Sequence, residues 1–192
     1  MMIVTTAKQL TLWDLVDQQV MSHETAHRLV ESVRERRRIL VVGLPGTGKA
    51  TLLKTVFDEA LDSEQSMILM QSVLEWSQVP TDHYLLVTGT LTSPQIQVLQ
   101  GMSADYVVVD QNHYSREFFR AIVRYPYSGL IMTWHGTLEG VAKLLLGKDW
   151  DTMIYCAWNA ERRRMVATAG DIEANGLFVP WPEFAPEFAR EE

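Results

Sequence analysis

A glycine-rich octapeptide is the part of this sequence best suited to chemistry. Residues 43–50 read GLPGTGKA and match the pattern G-x-x-x-x-G-K-[ST] at every fixed position except the last. Glycines let successive backbone N–H groups turn toward phosphate oxygens, and the start of a following helix adds positive potential. The motif predicts these nucleotide-contacting residues: Gly43, Pro45, Gly46, Thr47, Gly48, Lys49, Ala50 and Thr51.

The last position of this phosphate loop lacks the hydroxyl that normally binds Mg²⁺. Lys49 is expected to reach the β- and γ-phosphates, but Ala50 has no oxygen for the metal. Thr51 lies about 100° further round the helix, so we do not assign it that role. The loop predicts a phosphate-binding fold, whereas nucleotide occupancy and Mg²⁺ binding stay open.

A second candidate element is the acidic end of a later apolar run. Asp110 follows Tyr106–Val109 and is predicted to hold the hydration shell of a metal ion. An alternative is that it caps the next turn. Gln111, the predicted catalytic position, carries an amide that can orient a water molecule but cannot accept its proton.

The surrounding pattern predicts how these residues are positioned. Residues 10–38 read as two short helices, and a helix is expected over 49–61. Short apolar runs at 39–42, 67–70, 84–87, 106–109 and 129–133 predict buried strands, so the fold class is α/β with a mostly parallel sheet. Residues 152–168 read as a closing hairpin.

Three regions follow from this pattern. They are a helical lead-in (1–38), a P-loop NTPase-like domain (39–170) and a tail rich in proline, aromatic and acidic residues (171–192). The tail is expected to be an extended arm or a disordered end, with aromatics that dock on the body or on a partner. Its candidate docking side chains are Phe178, Trp181, Phe184 and Phe188.

Composition narrows the class of protein. The chain has 192 residues, 47% of them hydrophobic, and a formal charge of −7, which suits a globular domain and disfavours direct nucleic-acid binding. Its one cysteine suits a reducing compartment. No apolar run reaches the length of a membrane span and no secretory signal is evident, so we expect a cytoplasmic protein.

Four stretches resemble, in the same order, the secretion-type ATPases of type IV secretion, conjugation, type II secretion and pilus assembly. They are the lead-in and phosphate loop from residue 10, LTSPQIQVLQGMSADYVVVDQ, SGLIMTWHGTLEGVAKLL and DTMIYCAWNAERRRMVATAGDI. The resemblance implies a RecA-like P-loop NTPase fold, flanked by helices and closed by antiparallel strands. The resemblance covers the family's C-terminal domain, and because only residues 1–9 precede the lead-in we expect the family's N-terminal domain to be missing.

The resemblance also implies site residues and shows departures from them. His135 matches a family histidine near the γ-phosphate; the alternative is a structural histidine at a strand end. The family's acidic pair falls on Gln71 and Ser72, with Glu75 one helical turn on, and its catalytic glutamate falls on Gln111. Losing one well-placed polar group typically costs about 10²- to 10³-fold in rate.

Two functions from different classes follow. The first is a degenerate, weakly hydrolysing or non-hydrolysing homologue that binds ATP or ADP weakly or not at all. It would act as an assembly or regulatory subunit of a secretion, conjugation or pilus machine. The alternative is an active ring-forming ATPase; another P-loop activity such as a kinase lacks a substrate-base constellation. Expected partners are secretion or pilus proteins, including a full-length ATPase or further copies of this chain, at the inner membrane through those partners.

Two clusters have both a structural and a functional interpretation. Trp134, Trp150 and Trp158 suit packing around the last strands or an exposed patch. Arg162, Arg163 and Arg164 are solvated in the hairpin or present cations to a neighbouring subunit. The run Arg34–Arg38 suits a solvated helix terminus, where cations complement the helix dipole.

Overall fold

Among the described residues, four continuous α-helices flank the sheet; this computed structural model describes residues 10–71, 81–88, 93–110, 118, 122–123, 129–137 and 149–185. They are α1 (Leu12–Asp17), α2 (His23–Arg34), α3 (Lys49–Ala60) and α4 (Ser93–Gln100). The two predicted lead-in helices are confirmed: Thr11 forms a capping box with Asp14, and the Ser22 hydroxyl accepts from the Thr25 amide. None of the described helices is both long and apolar enough to cross a bilayer.

The described residues contain eight strands, which form one sheet. They are β1 (Ile39–Gly43), β2 (Met67–Gln71), β3 (Tyr84–Thr88), β4 (Tyr106–Asp110), β5 (Gly129–His135), β6 (Thr152–Trp158), β7 (Arg164–Ile172) and β8 (Phe178–Pro180). Their order is β3-β2-β4-β5-β1-β6-β7-β8. Pairings from β3 to β6 are parallel, and β7 and β8 close the sheet antiparallel. The predicted α/β class is therefore confirmed.

Both faces of the central strands are buried, which explains their unbroken apolar runs. In β1, Ile39 and Val41 pack in the cluster that includes the apolar side chains of α1, α2 and α3. Leu40 and Val42 point to the opposite face and join the cluster that contains Trp150. Alternate residues of a strand therefore serve two cores, and the carboxyl ends of the parallel strands meet at one edge of the sheet.

The basic run 34–38 is partly solvated and also ties elements together: Arg34 and Arg36 are exposed, whereas Arg37 and Arg38 are half-buried. Arg34, the first residue of the run, is the last residue of α2. The other arginines of the run lie in the turn between α2 and β1. Arg36 forms a 2.8 Å ion pair with Asp105, and Arg37 forms one of the same length with Asp171. The predicted solvated helix terminus therefore holds for Arg34, while Arg36 and Arg37 also form ion pairs that the sequence did not predict.

The start of the tail is ordered on the domain, so the prediction of an extended or disordered arm is wrong for residues 171–185. Strand β7 continues to Ile172, and β8 then pairs with it. Trp181 is 4% exposed, and its indole N–H donates to the Asp171 carboxylate at 3.2 Å. Phe178 and Phe184 are partly buried against the two cores, while Phe188 lies outside the described residues. The boundaries proposed for the three regions stay a prediction.

Candidate functional site

The phosphate loop lies between the carboxyl end of β1 and the first turn of α3. Gly46 and Gly48 have φ angles of +81° and +91°, in the left-handed region that glycine tolerates best. Inside the turn, the Thr47 hydroxyl donates to the Leu44 carbonyl at 2.8 Å. Gly48 is the N-cap of α3 and no side chain caps this helix. Its first backbone N–H groups are therefore suited to an anion.

Gly43 is required for a reason that the motif alone does not give. A Cβ at this position would lie 2.4 Å from the backbone carbonyl oxygen of Cys156 and 2.7 Å from the Thr47 hydroxyl oxygen. The strand β6 therefore passes directly against the beginning of the loop. Any side chain at residue 43 would push β6 and the loop apart.

Lys49 is buried inside the loop. The side chain is 5% exposed, and its ammonium donates to the carbonyl oxygens of Gly43 and Leu44 at 3.0 Å each. These hydrogen bonds satisfy the charge and hold the loop around it. The ammonium thus lies at the loop, where it could form an ion pair with a bound phosphate.

Candidate polar residues end neighbouring strands at the same edge of the sheet. His135 ends β5 as the register partner of Gly43, and it is half-buried. Asp110 ends β4, and one of its carboxylate oxygens accepts from the Thr133 hydroxyl at 2.9 Å. The fold thus brings the loop, His135 and Asp110 to one edge, whereas Gln111 lies outside the described residues.

Gln71 also lies at this edge, and its burial and hydrogen bonding could not be predicted from the sequence. It ends β2 as the register partner of Asp110 and is fully buried. Within the part of the chain that the structure describes, neither its amide nitrogen nor its amide oxygen has a hydrogen-bond partner. Leaving such a group unpaired costs about 1–3 kcal/mol, which a water molecule at this edge would relieve. Ser72 and Glu75, the other residues at the acidic-pair position, lie outside the described residues.

A cavity of about 400 Å³ opens beside the loop. Its polar wall includes Thr47, Gly48 and Thr51 from the loop and α3. Apolar side chains form much of the rest of the wall: Leu10, Leu15, Val20, Leu52, Met165 and Val166. The lead-in and the closing hairpin therefore supply an apolar surface next to the phosphate-binding turn, as a nucleoside requires.

The closing hairpin adds cations to this cavity. Arg163 and Arg164 both line it, and both are exposed to solvent. The Arg164 guanidinium lies 5.5 Å from the centre of the Trp158 ring, within the range of a cation–π interaction. Trp158 is 45% exposed, so the packing interpretation holds for the buried Trp150 and the half-buried Trp134 but not for Trp158.

The described part of the site offers fewer ligand groups for a metal ion than for a phosphate. Residue 50 is an alanine and offers no ligand oxygen. In the described part of the chain, no group of three or more His, Cys, Asp or Glu side chains is placed to hold a metal ion. Among the described residues at this edge, Asp110 is the carboxylate suited to the hydration shell of Mg²⁺.

The cysteine beneath the loop is not a nucleophile. Cys156 is buried, and this burial raises the pKa of its thiol to about 12, although the nearby charge of Lys49 acts in the opposite direction. A neutral buried thiol is unreactive at physiological pH. Its role is packing beneath the loop.

Comparison with known proteins finds similar folds among solved structures. No family model and no curated protein matches the sequence. The fold is similar to the VirB11 ATPase of the Brucella suis type IV secretion system, solved with sulphate, at a TM-score of 0.63 and 14% identity over 88% of this chain and 58% of that one. The fold is also similar to that of the Legionella pneumophila ATPase DotB. The TM-score is 0.56 and the sequence identity is 13%, over 86% of this chain and 52% of DotB.

A third similar structure is the pilus retraction motor PilT with bound ADP. Its TM-score is 0.57 at 13% identity, over 79% of this chain and 49% of PilT. The chain thus spans about half of each of these proteins. At such identities the likeness establishes the fold, and the predicted resemblance to secretion-type ATPases is confirmed at that level.

Proposed function

We propose that this chain binds ATP or ADP weakly through its phosphate loop and hydrolyses it slowly or not at all. It would serve as an assembly or regulatory subunit of a type IV secretion, conjugation or pilus machine. The observation that carries this proposal is a complete glycine loop around a buried Lys49, followed by an alanine where a metal-binding hydroxyl belongs. The loop is built for phosphate, but the metal ligand next to it is missing.

The loop geometry supports phosphate binding. Backbone N–H groups at the start of α3 would contact phosphate oxygens, and Lys49 would exchange its two carbonyl contacts for a phosphate. The adjoining cavity offers apolar walls for the nucleoside. VirB11 was solved with sulphate and PilT with ADP, and we extend that anion preference to this chain as part of the proposal.

The residues at the strand ends support slow hydrolysis. When bound, Mg²⁺ would neutralise charge that develops on the phosphates, and Asp110 is the residue suited to its hydration shell. One oxygen of this carboxylate already accepts a hydrogen bond from Thr133. Gln111 would orient a water molecule without taking its proton, and His135 beside Gly43 would face the terminal phosphate.

The proposed cellular role is based on the proteins whose structures this fold resembles. VirB11 belongs to a secretion system and PilT is a pilus motor. A domain with the same fold and a weak site would join such a machine through protein contacts, including a full-length ATPase or further copies of itself. We propose that it works in the cytoplasm, at the inner membrane through those partners.

Calorimetric titration of ATP and ADP into the full chain, with and without Mg²⁺, tests the nucleotide claim. We expect weak binding that Mg²⁺ does not strengthen and that Lys49→Ala abolishes. Lys54→Ala is the matched control, because Lys54 lies on the same helix but pairs with Asp58 at 2.6 Å. Turnover of several ATP molecules per second that depends on Lys49 would favour the active-motor alternative. Absence of nucleotide binding would overturn the nucleotide claim.

A further inference from the structure

The β6–β7 hairpin lies against two glycines of the phosphate loop. A Cβ at Gly46 would lie 3.8 Å from the Trp158 ring, and one at Gly48 would lie 3.1 Å from Cδ of Arg164. The two hairpin side chains also contact each other through the cation–π interaction. The hairpin therefore covers the turn with an aromatic ring and a cation that are held together.

Arg164 differs from other arginines of the chain in how its guanidinium is positioned. The structure gives this residue no carboxylate partner among the described residues, unlike Arg36 and Arg37, which pair with Asp105 and Asp171. Its guanidinium is instead positioned by the ring of Trp158. A cation–π contact orients a guanidinium without neutralising it, so its charge and N–H donors stay available for a ligand.

The location of Arg164 matches where a phosphate chain would run. Its aliphatic stem crosses Gly48, the N-cap of α3, and it lines the cavity together with Thr47 and Thr51. The planar guanidinium can bind two oxygens of one phosphate or bridge neighbouring phosphates. Lys49 lies inside the loop, so the two cations would act from different sides.

We propose that Arg164, oriented by Trp158, is a phosphate-binding residue for the nucleotide held by the loop of its own chain. This inference rests on the proposed nucleotide binding and adds to it a second cation, supplied by the closing hairpin. This role differs from both interpretations that the sequence offered for the hairpin arginines, which were solvation and contact with a neighbouring subunit. Arg164 serves its own site, whereas a role toward a neighbouring subunit would need the side chain to leave Gly48 and Trp158.

The test compares two arginines of the same hairpin. ADP is titrated into the full chain, and inorganic pyrophosphate is measured by competition against it. We expect Arg164→Gln to weaken both ligands by about tenfold, because one charge-assisted contact is lost. Arg162→Gln is the control, since Arg162 is exposed in the turn just before β7 but does not line the cavity.

A second pair of variants guards against misfolding. Arg164→Lys keeps the charge but loses the planar fork, so we expect a loss of several-fold with an unchanged thermal unfolding curve. Trp158→Leu keeps an apolar side chain near Gly46 while releasing the guanidinium, and we expect a similar partial loss. If Arg164→Gln folds poorly, this pair carries the test.

The outcomes separate the inference from the proposed function. If wild-type chain binds ADP in a Lys49-dependent way and the Arg164 variants bind equally well, the inference fails and the proposed nucleotide binding stands. A loss for ADP but not for pyrophosphate would assign Arg164 to the nucleoside and also overturn it. A loss confined to concentrations at which the chain self-associates would indicate action between subunits. No ADP binding at all would overturn both proposals.

Discussion

The ammonium group of Lys49 donates a 3.0 Å hydrogen bond to the carbonyl oxygen of Gly43, so the lysine of the phosphate loop is tied to its first residue. The same ammonium also binds the Leu44 carbonyl. The loop is therefore closed around its own cation before any ligand arrives. Its shape depends on Gly43 as much as on Lys49, because β6 presses on the outside of the loop at Cys156.

Substitution of Gly43 by alanine is expected to destabilise the domain by about 2–3 kcal/mol and to abolish ADP binding. The added methyl group would meet the Cys156 carbonyl oxygen at 2.4 Å, and forcing atoms into a packed interior typically costs about 1–3 kcal/mol. Urea unfolding and ADP titration measure the two effects.

Gly101→Ala is the control for this prediction. A Cβ there would meet its closest atom, the Val98 carbonyl oxygen, at 3.4 Å, which is ordinary contact. We expect its stability to stay within about 0.5 kcal/mol of wild type. Equal effects of the two substitutions would show that β6 does not press on the loop.

Much of the fold could be predicted because its signals are local. Thr11 and Ser22 mark the helix starts by their side-chain chemistry, and the apolar runs are continuous because both faces of their strands are buried. Strand β8 could not be predicted. Its pairing depends on Gly170, where β8 crosses so closely that a Cβ would lie 2.3 Å from the Val179 carbonyl oxygen. Such a contact joins residues through tertiary structure and leaves no periodic signal.

The parts of the site that lie in one segment of the sequence could be predicted, and those formed by tertiary contacts could not. The phosphate loop was evident because its glycines and lysine lie in one short segment. The contact of Arg164 with Gly48 was hidden, because the two residues are brought together only when β6 pairs with both β1 and β7. The amide of Gln71, which has no hydrogen-bond partner among the described residues, was hidden as well, since hydrogen-bond satisfaction depends on every neighbour of a buried group.

Ala50→Thr is expected to make nucleotide binding depend on Mg²⁺. The new hydroxyl would supply the ligand oxygen that the loop lacks, so we expect Mg²⁺ to strengthen ATP binding by about tenfold in the variant and not in wild type. Calorimetry in Mg²⁺ and in EDTA measures the difference. Combined with Gln111→Glu, the substitution is expected to raise ATP turnover, because a carboxylate can accept the proton of the attacking water.

Ala50→Val is the matched control for the metal effect. Valine has the shape of threonine without its oxygen, so it reproduces any packing change at the start of α3. If Ala50→Thr and Ala50→Val respond alike to Mg²⁺, the missing hydroxyl is not what limits metal binding.

The buried thiol of Cys156 makes stability depend on pH in the alkaline range. Burial raises its pKa from the ordinary value of 9.0 to about 12, so the folded state keeps the proton that the unfolded state loses above pH 9. Stability is therefore unaffected by this group below pH 9 and falls between pH 9 and 12, by at most about 1.4 kcal/mol per pH unit. Urea unfolding of wild type and Cys156→Ala at pH 7.5 and 10.5 measures this loss.

The thiol also gives an independent kinetic measurement. Cys156 is the sole cysteine of the chain, so labelling by a thiol reagent reports on one site. We expect negligible labelling of folded protein at pH 7.5 and rapid labelling in urea. Rapid labelling of the folded chain would contradict the packing of β6 beneath the phosphate loop.

Trp181→Ala is expected to lower the free energy of unfolding by about 3 kcal/mol, within the range for removing a buried tryptophan. The ring is 4% exposed beneath the Arg28 guanidinium, and its indole nitrogen binds Asp171. Trp158→Ala is the matched control, because that ring is 45% exposed and its removal should cost less than about 1 kcal/mol. Equal, small effects in urea unfolding would mean that residues 178–185 are weakly held on the domain. The tail aromatics would then be available to a partner, as the sequence alone had allowed.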